Sequence, residues 1–496
     1  MTDEWAASIA DLEQRRRVAE AMGGEQRLAR READGRLDAR AKIAALVDEG
    51  SFAEIGMLAG SGAGAAADAF VAGHATVRGR PIMIGVEDAT VLGGSIGHPG
   101  ASKRERIARL ALQDRIPLVM VLDGAGHRAT NSLHGNRPAP GDLGAIADLA
   151  GIVPVIAAVT GASAGHGVLA AALADVVVMV DGTSQMFAAG PPLVKAATGV
   201  EIDKESLGGA AVHAGSGLAQ IVVADDAAAM VMVRLLLGCL PSSADSWPIE
   251  YDASPPANGD LATIIPTNLR QPYDGRDVVD AIVDMGSVLE LQPEWGSGLL
   301  TCLARLDGIP IAVVASQPLV GAGAIDAPAA AKAARFIDWT GSFHLPLLFL
   351  ADTPGVLPGL ASERAGILRA AGAMYAAQRR HPGPKLHVTL RKAFGFGSSV
   401  MAHNPFDHQT AVFALPTATV GAMPASGAAS ASHADAATTD ALGASQLSGV
   451  WRMADGLTYD DVIAPIEVRD RLIAALRRSI ARRDTTPAAP IPRFGR

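Results

Sequence analysis

Two glycine-rich segments of this chain combine residue types and spacing suited to holding a transient oxyanion. The first, Gly161-Ala-Ser-Ala-Gly165-His166-Gly167, follows the β-branched run 153–159 and precedes the Ala-rich run 168–174. The second, Arg391-Lys-Ala-Phe-Gly395-Phe396-Gly397, lies 230 residues later, after the run 385–389 and before 398–401. Each pattern predicts a strand, a glycine turn and a helix start, where the first backbone N–H groups lack intrahelical partners and present positive potential. Donors aimed at a developing oxyanion contribute about 3–4 kcal/mol each. A single such turn reads first as a plain βα loop; matched turns in two halves reverse that preference and favour the chemical reading. The first segment also fits the bare GxSxG of a nucleophile elbow, with Ser163 as nucleophile of a serine hydrolase. Against this, Ser163 falls on Ala393 in the second segment, and a hydrolase has no use for a second copy.

Three other segments carry punctuation that could serve chemistry. One is Gly190-Pro-Pro-Leu-Val-Lys195 with Thr198-Gly199. The next is Leu207-Gly-Gly209 with His213 and Gly215-Ser-Gly217, and the third is Asp352-Thr-Pro-Gly355 with Leu357-Pro-Gly359 and Glu363. Asp352 and Asp123 are expected at strand C-termini, where ligands bind in open α/β sheets, although a turn-capping role explains them as well. No GxxxxGK[ST] loop, paired HExxH or strand-to-helix GxGxxG occurs.

The elements that must position these turns come twice. Residues 79–126 and 308–355 align without a gap at a shift of 229, and fourteen of the 48 positions are identical. Gly94, Lys103, Asp123 and Gly126 fall on Gly323, Lys332, Asp352 and Gly355. The period is too long for a solenoid, whose repeats run about 20–50 residues, and fits a duplicated domain. Short β-branched runs alternate with Ala-rich segments, as in βαβ units. Strands are expected at 81–86, 117–122, 153–159 and 176–180, and again at 310–315, 346–351, 385–389 and 409–414. Residues 1–48 read as helix stopped by Gly50, and 424–447 as either a surface helix or a loop. The tail from about 468 reads as one basic helix with a solvated face (Arg469, Arg471, Arg477, Arg478, Arg482, Arg483) ending near Thr485. The Pro-rich stretch 242–267 is expected to link domains 1–241 and 268–496.

Composition narrows the function classes. A net charge of −9 argues against nucleic-acid binding. The two cysteines, Cys239 and Cys302, cannot form a four-cysteine zinc site and read as inert buried thiols. The charged N-terminus lacks a signal-peptide core, and no uninterrupted apolar run of about 18 residues predicts a membrane span, so a cytoplasmic protein is expected.

Taken together, Asp48-Glu-Gly-Ser-Phe52, Asp88-x-Thr-Val-Leu-Gly-Gly-Ser95, Gly190-Pro-x-x-x-Lys195, Leu207-Gly-Gly209, Asp352-Thr-Pro-Gly355-x-x-Pro-Gly359, Arg391-Lys-Ala-Phe-Gly395 and Leu415-Pro-Thr-Ala418 resemble the carboxyltransferase (β) subunit of biotin-dependent acyl-CoA carboxylases over about residues 25–490. The resemblance implies an α/β chain of two tandem crotonase (ClpP)-like spiral ββα domains. It implies transfer of the carboxyl group of carboxybiotin, carried on a separate biotin carboxylase/biotin carrier α subunit, to an acyl-CoA at a dimer interface, within a homohexamer (a trimer of dimers). Neither a metal nor a nucleic-acid partner is implied. Acyl-CoA would lie mainly on the N-terminal half, with thioester-enolate donors at Gly165 and His166, Gly167 as the neighbouring candidate, and Gly94, Ala125, Gly126 and Ala164 lining the site. Biotin would lie on the C-terminal half, with donors at Phe396 and Gly397 and contacts from Thr353, Pro354, Gly355 and Gly395. Ser399 would line the acyl pocket. Departures are local: Ala164-Gly165-His166-Gly167 stands where the family reads Ala-Gly-Gly-Ala, and Phe394-Gly395-Phe396-Gly397-Ser398 where it reads Tyr-Gly-Gly-Ala-Tyr. His166 and Phe396 must then point away from the donors; His166 reads as a hydrogen-bonded helix-start residue or a proton donor. Ser399, with no aromatic at 398, implies a roomier or more polar pocket. A decarboxylase, a transcarboxylase or a silent CoA-binding paralogue remains open.

Overall fold

Runs of Val, Ile, Leu and Met without polar alternation, such as 118–122 and 176–180, build several of the strands, because a parallel strand covered on both faces favours apolar residues throughout. The computed structural model describes residues 3–134, 141–257 and 259–481. The chain divides into two units at Asp245 and Ser246. In the first, seven strands run in the order Ala53–Glu54, Phe70–Val77, Arg80–Glu87, Leu118–Leu122, Val155–Val159, Val176–Val180 and Ile221–Val223. The first three are antiparallel and the rest parallel. Leu118–Leu122, Val155–Val159 and Val176–Val180 are buried along their whole length. The helix His98–Asp114 and the helix Asp226–Cys239, N-capped by Asp225, bury their apolar stripes in this unit.

The second unit repeats the plan with Leu289–Leu291, Leu299–Leu306, Ile309–Ser316, Leu347–Thr353, Lys385–Phe394, Ala411–Ala414 and Asp461–Val462. Again three antiparallel strands lead into parallel ones. Each unit adds a short parallel pair at the glycine turn: Ala162–Ala164 with Gln185–Phe187 in the first, and the end of Lys385–Phe394 with Thr419–Gly421 in the second. Both units have the crotonase-like ββα fold, and the duplication extends to single hydrogen bonds. Ile96 N–H donates to Gly126 O at 2.7 Å and Arg128 N–H to Ile96 O at 3.0 Å; Ile325 N–H donates to Gly355 O at 3.0 Å and Leu357 N–H to Ile325 O at 2.8 Å. Lys103 and Lys332 are both buried, each Nζ donating to backbone carbonyls, of Ala67 and Phe70 in one unit and of Gln292 in the other.

Two expectations change and one left open is decided. Of the stretch 1–48, the described residues from 3 onward form three helices, Asp3–Glu20, Glu25–Ala33 and Ala39–Leu46, because Gly24 and Gly35 adopt left-handed φ of 89° and 69° and break the run. The stretch 424–447 folds as helices Ala425–Ser432 and Ala436–Leu447. The basic helix spans Val468–Ile480, and its arginines are not simply solvated: Arg469 pairs with Asp284, Arg477 with Asp307 and Glu250, and Arg471 with Asp461. Arg482, Arg483 and the expected end near Thr485 lie outside the described residues. In the segment 242–267, Tyr251 N–H donates to Gly308 O at 2.9 Å, tying the chain there to the second unit. Among the described residues no helix is long and apolar enough to cross a membrane, and Cys239 and Cys302 are buried and not joined in a disulfide.

Candidate active site

In the first unit the chain leaves Val155–Val159, forms the short strand Ala162–Ala164, and turns at Gly165 into the helix His166–Leu173. Gly165 takes φ 57° and ψ −126°, a combination closed to side-chain-bearing residues. A Cβ on Gly126 would stand 2.3 Å from Ala164 O, so Gly126 lets the loop after Leu118–Leu122 press against the turn. Gly94 does the same one layer away, where a Cβ would meet Asp123 O at 2.5 Å. Ala125 N–H donates to Gly93 O and Ala164 N–H to Gly124 O. Gly94, Ala125, Gly126, Ala164 and the turn are thus one cluster.

One expected donor is already committed. Gly165 N–H donates to Phe187 O at 2.9 Å and cannot also meet an oxyanion. The free donors of this turn are the N–H groups of His166 and Gly167, at the first two helical positions, neither of which has a protein acceptor among the described residues. The segment around Leu207–Gly209 finds its purpose here. His213 Nε2 donates to Met186 O at 2.8 Å, and a Cβ on Gly208 would lie 2.0 Å from that same carbonyl, so this region buttresses the strand that fixes Gly165. Lys195 lies in the last turn of the exposed helix Pro191–Thr198 and pairs with Glu201. Ser163 is fully buried with its hydroxyl unpartnered, in a strand rather than at an elbow, which removes the basis for a serine nucleophile.

Behind the turn lies a polar network that sequence reasoning does not find. His166 Nε2 is 2.8 Å from Asp142 Oδ1; a carboxylate only accepts, so Nε2 carries the proton. Arg104, wholly buried, donates to Asp142 Oδ2 (3.0 Å), Glu87 Oε1 (2.8 Å) and Gly167 O (3.3 Å). Glu87 Oε2 accepts Asp123 N–H at 2.7 Å. Burial pushes the Asp142 carboxyl up, but the His166 hydrogen bond and the Arg104 charge outweigh it and hold it below the usual range. For Glu87 burial wins over Arg104, and its carboxyl lies above the usual range. The sequence signals it only through Arg104, one of several charges in the run Lys103-Arg-Glu-Arg106, where nothing marks it as buried.

The two repeated aspartates are structural. Asp123 accepts from Lys42 Nζ at 2.9 Å and from Arg31. Asp352, with no exposed surface, accepts from Arg391 Nε at 2.9 Å and Lys392 N–H at 3.2 Å. Arg391 also donates to the carbonyls of Pro266, Asn268 and Gln271, and Lys392 Nζ to Ala322 O.

In the second unit the strand Lys385–Phe394 turns at Gly395 (φ 56°) into the short helix Gly395–Val400. A Cβ on Gly397 would sit 2.5 Å from Gly355 Cα, so Gly355 (φ 126°) presses on this turn as Gly126 does on the other. Thr353, Pro354 and Gly355 form one tight turn, with Gly355 N–H donating to Thr353 Oγ1 at 3.1 Å. The N–H groups of Phe396 and Gly397 have no protein acceptor among the described residues. The Phe396 ring packs on Tyr375 at 5.9 Å between centroids. His166 and Phe396 thus each dock their side chain on the helix preceding the turn, one by hydrogen bond and one by ring contact. Ser399 sits half-buried in this helix, its carbonyl accepting Ala402 N–H.

Comparison with known proteins assigns the family. The carboxyl transferase domain model matches residues 30–491. The chain is 33% identical to the methylmalonyl-CoA decarboxylase subunit alpha of Veillonella parvula, over 93% of this chain and 94% of that one. It is 34% identical to the methylmalonyl-CoA carboxyltransferase 12S subunit of Propionibacterium freudenreichii subsp. shermanii, over 97% and 95%. A solved structure of a transcarboxylase 12S hexamer with methylmalonyl-CoA and methylmalonic acid bound superposes with a TM-score of 0.90 at 33% identity, covering 100% of this chain and 99% of that one. Two crotonase-like units with paired glycine turns, matched over nearly their whole length, make this chain a member of the carboxyl transferase domain family.

Proposed function

We propose that the protein transfers a carboxyl group between biotin, carried on a separate subunit, and an acyl-CoA. The observation that carries this reading is the pair of backbone-donor turns: His166 and Gly167 in one unit, Phe396 and Gly397 in the other. Carboxyl transfer to a thioester develops negative charge on two carbonyl oxygens, and each turn supplies fixed N–H dipoles for one of them. Acyl-CoA is assigned to the first turn, bordered by Gly94, Ala125, Gly126 and Ala164, and biotin to the second, bordered by Thr353, Pro354, Gly355 and Gly395. Carboxybiotin supplies CO₂ and the base that exchanges the α-proton, so the chain needs no side-chain nucleophile. Its own groups bind, orient and exclude water. Domains 1–241 and 268–496, joined through 242–267, would then be the acyl-CoA and biotin sides, with Ser399 reaching the acyl group across a dimer interface of a hexamer.

Relatives are named as a decarboxylase subunit and as a carboxyltransferase subunit, and the two turns proposed here would serve either direction. The test is carboxylation by the purified protein with a biotinylated α subunit, ATP and radiolabelled bicarbonate, across acyl-CoAs from acetyl to long-chain. Label fixed on an acyl-CoA supports the assignment and gives the substrate. No fixation, with the α subunit active on free biotin, refutes the carboxylase direction and leaves biotin-dependent decarboxylation to be assayed.

A further inference from the structure

The chain Glu87–Arg104–Asp142–His166 has no part in the scheme above, yet it ends on the turn that the scheme depends on. His166 and Gly167 offer the free N–H groups, and each is gripped by a different atom: His166 through its ring, bonded to Asp142, and Gly167 through its carbonyl, bonded to Arg104. Both grips meet in the Arg104 guanidinium, which holds Asp142 and Gly167 O. The second unit folds without this network. Glu87 and Arg104 fall on Ser316 and Ala333 at the shift of 229, and His166 on Phe396 at 230. Ser316 Oγ accepts Asp352 N–H at 3.0 Å, as Glu87 accepts Asp123 N–H, so a hydroxyl meets the fold's need at that position. Burying ions costs several kcal/mol each, and a buried carboxylate–guanidinium–carboxylate group that the fold can do without calls for another reason.

We propose that His166, clamped by Asp142 and Arg104, is a positioning residue that fixes the angle at which the His166 and Gly167 N–H groups meet the thioester oxygen. The inference rests on the carboxyl-transfer reading. With Gly165 on one side and Gly167 on the other, the turn is restrained by side chains at the His166 ring and, one peptide further on, at the Arg104 bond to Gly167 O. An oxyanion donor is worth about 100- to 1,000-fold in rate when aimed, and a misplacement of about 1 Å forfeits about 100-fold.

The experiment is steady-state carboxylation with the α subunit by wild type and three variants. His166→Ala keeps both backbone donors and removes the clamp; kcat is expected to fall ten- to a hundredfold, with KM for the acyl-CoA within about threefold of wild type. His166→Gln, whose amide nitrogen reaches about where Nε2 sits, is expected to restore kcat to within about threefold, while His166→Leu, which fills space but donates nothing, stays slow. Should His166→Ala fail to fold, the Gln and Leu pair carries the same test. A wild-type kcat in His166→Ala, a Gln variant as slow as Leu, or a KM that rises in step with the fall in kcat would overturn the inference. A wild type that neither carboxylates an acyl-CoA nor decarboxylates one in a biotin-dependent way overturns the functional reading and this inference with it. An active wild type matched by His166→Ala overturns the inference alone.

Discussion

Replacing Gly126 by alanine separates strain in the fold from damage to the donor turn. Gly126 has φ 80°, so alanine there incurs about 1–2 kcal/mol of left-handed backbone strain. Its Cβ would also stand 2.3 Å from Ala164 O, against a practical minimum of 3.0 Å, so the two backbones must part by at least 3.0 − 2.3 = 0.7 Å. Ala164 is two residues from His166, and the movement goes directly into the donors. Since a misplacement of about 1 Å costs about 100-fold, kcat is expected to fall between about ten- and a hundredfold. Gly182 supplies the control: it has φ 63°, and a Cβ added there would meet nothing within 4 Å, so Gly182→Ala carries the strain without the clash. Each variant should lose a few degrees of melting temperature, at about 2–4 °C per kcal/mol for units of this size. Carboxylation kinetics should separate them, with Gly126→Ala slow and Gly182→Ala close to wild type. Equal kcat values for the two would refute the argument that the Gly126–Ala164 contact sets the turn.

Other outcomes follow from the same geometry. Ser163→Ala should leave activity intact and leave stability unchanged or slightly higher, because it deletes a buried hydroxyl that has no partner; loss of turnover would revive the serine-nucleophile reading. Arg391→Met strands the buried Asp352 carboxylate and three backbone carbonyls, and should cost about 3–5 kcal/mol in urea unfolding of the protein; a loss under about 1 kcal/mol would contradict the role given to Arg391. Burial lowers the Lys332 ammonium to about 8. Between that value and its unfolded value the unfolded chain holds more protons, so stability rises with pH in that window. The stability of wild type relative to Lys332→Met should therefore grow from pH 8 towards pH 10, read from urea midpoints, and a flat or falling difference would show that the lysine is not desolvated.

What is legible in the sequence is what local pattern controls. Apolar runs such as Val176–Val180 announce themselves because a doubly covered strand has no polar face. The strands Phe70–Val77 and Leu299–Leu306 escape such reading, since Gly73, His74 and Thr76 in one and Thr301 and Arg305 in the other blur the run. Both glycine turns stand out because left-handed backbone demands glycine. The partner of the Gly165 N–H does not, because Phe187 reaches it only through a strand pairing 22 residues downstream. Asp142, Arg104 and Glu87 come from a helix start, a helix middle and a strand end, and no spacing rule joins them. The helical N-terminus reads as continuous because its charged, Ala-rich composition continues across Gly24 and Gly35, whereas the helical backbone does not.

The central claim is carboxyl exchange between an acyl-CoA and biotin, catalysed by this chain itself. The most direct measurement incubates the purified protein, without ATP or an α subunit, with carboxyl-labelled malonyl-CoA or methylmalonyl-CoA and free biotin. The account predicts a loss of label from the CoA ester that depends on biotin and leaves the thioester whole, and that slows in Gly126→Ala. No biotin-dependent loss from either ester, or cleavage of the thioester instead, would contradict it.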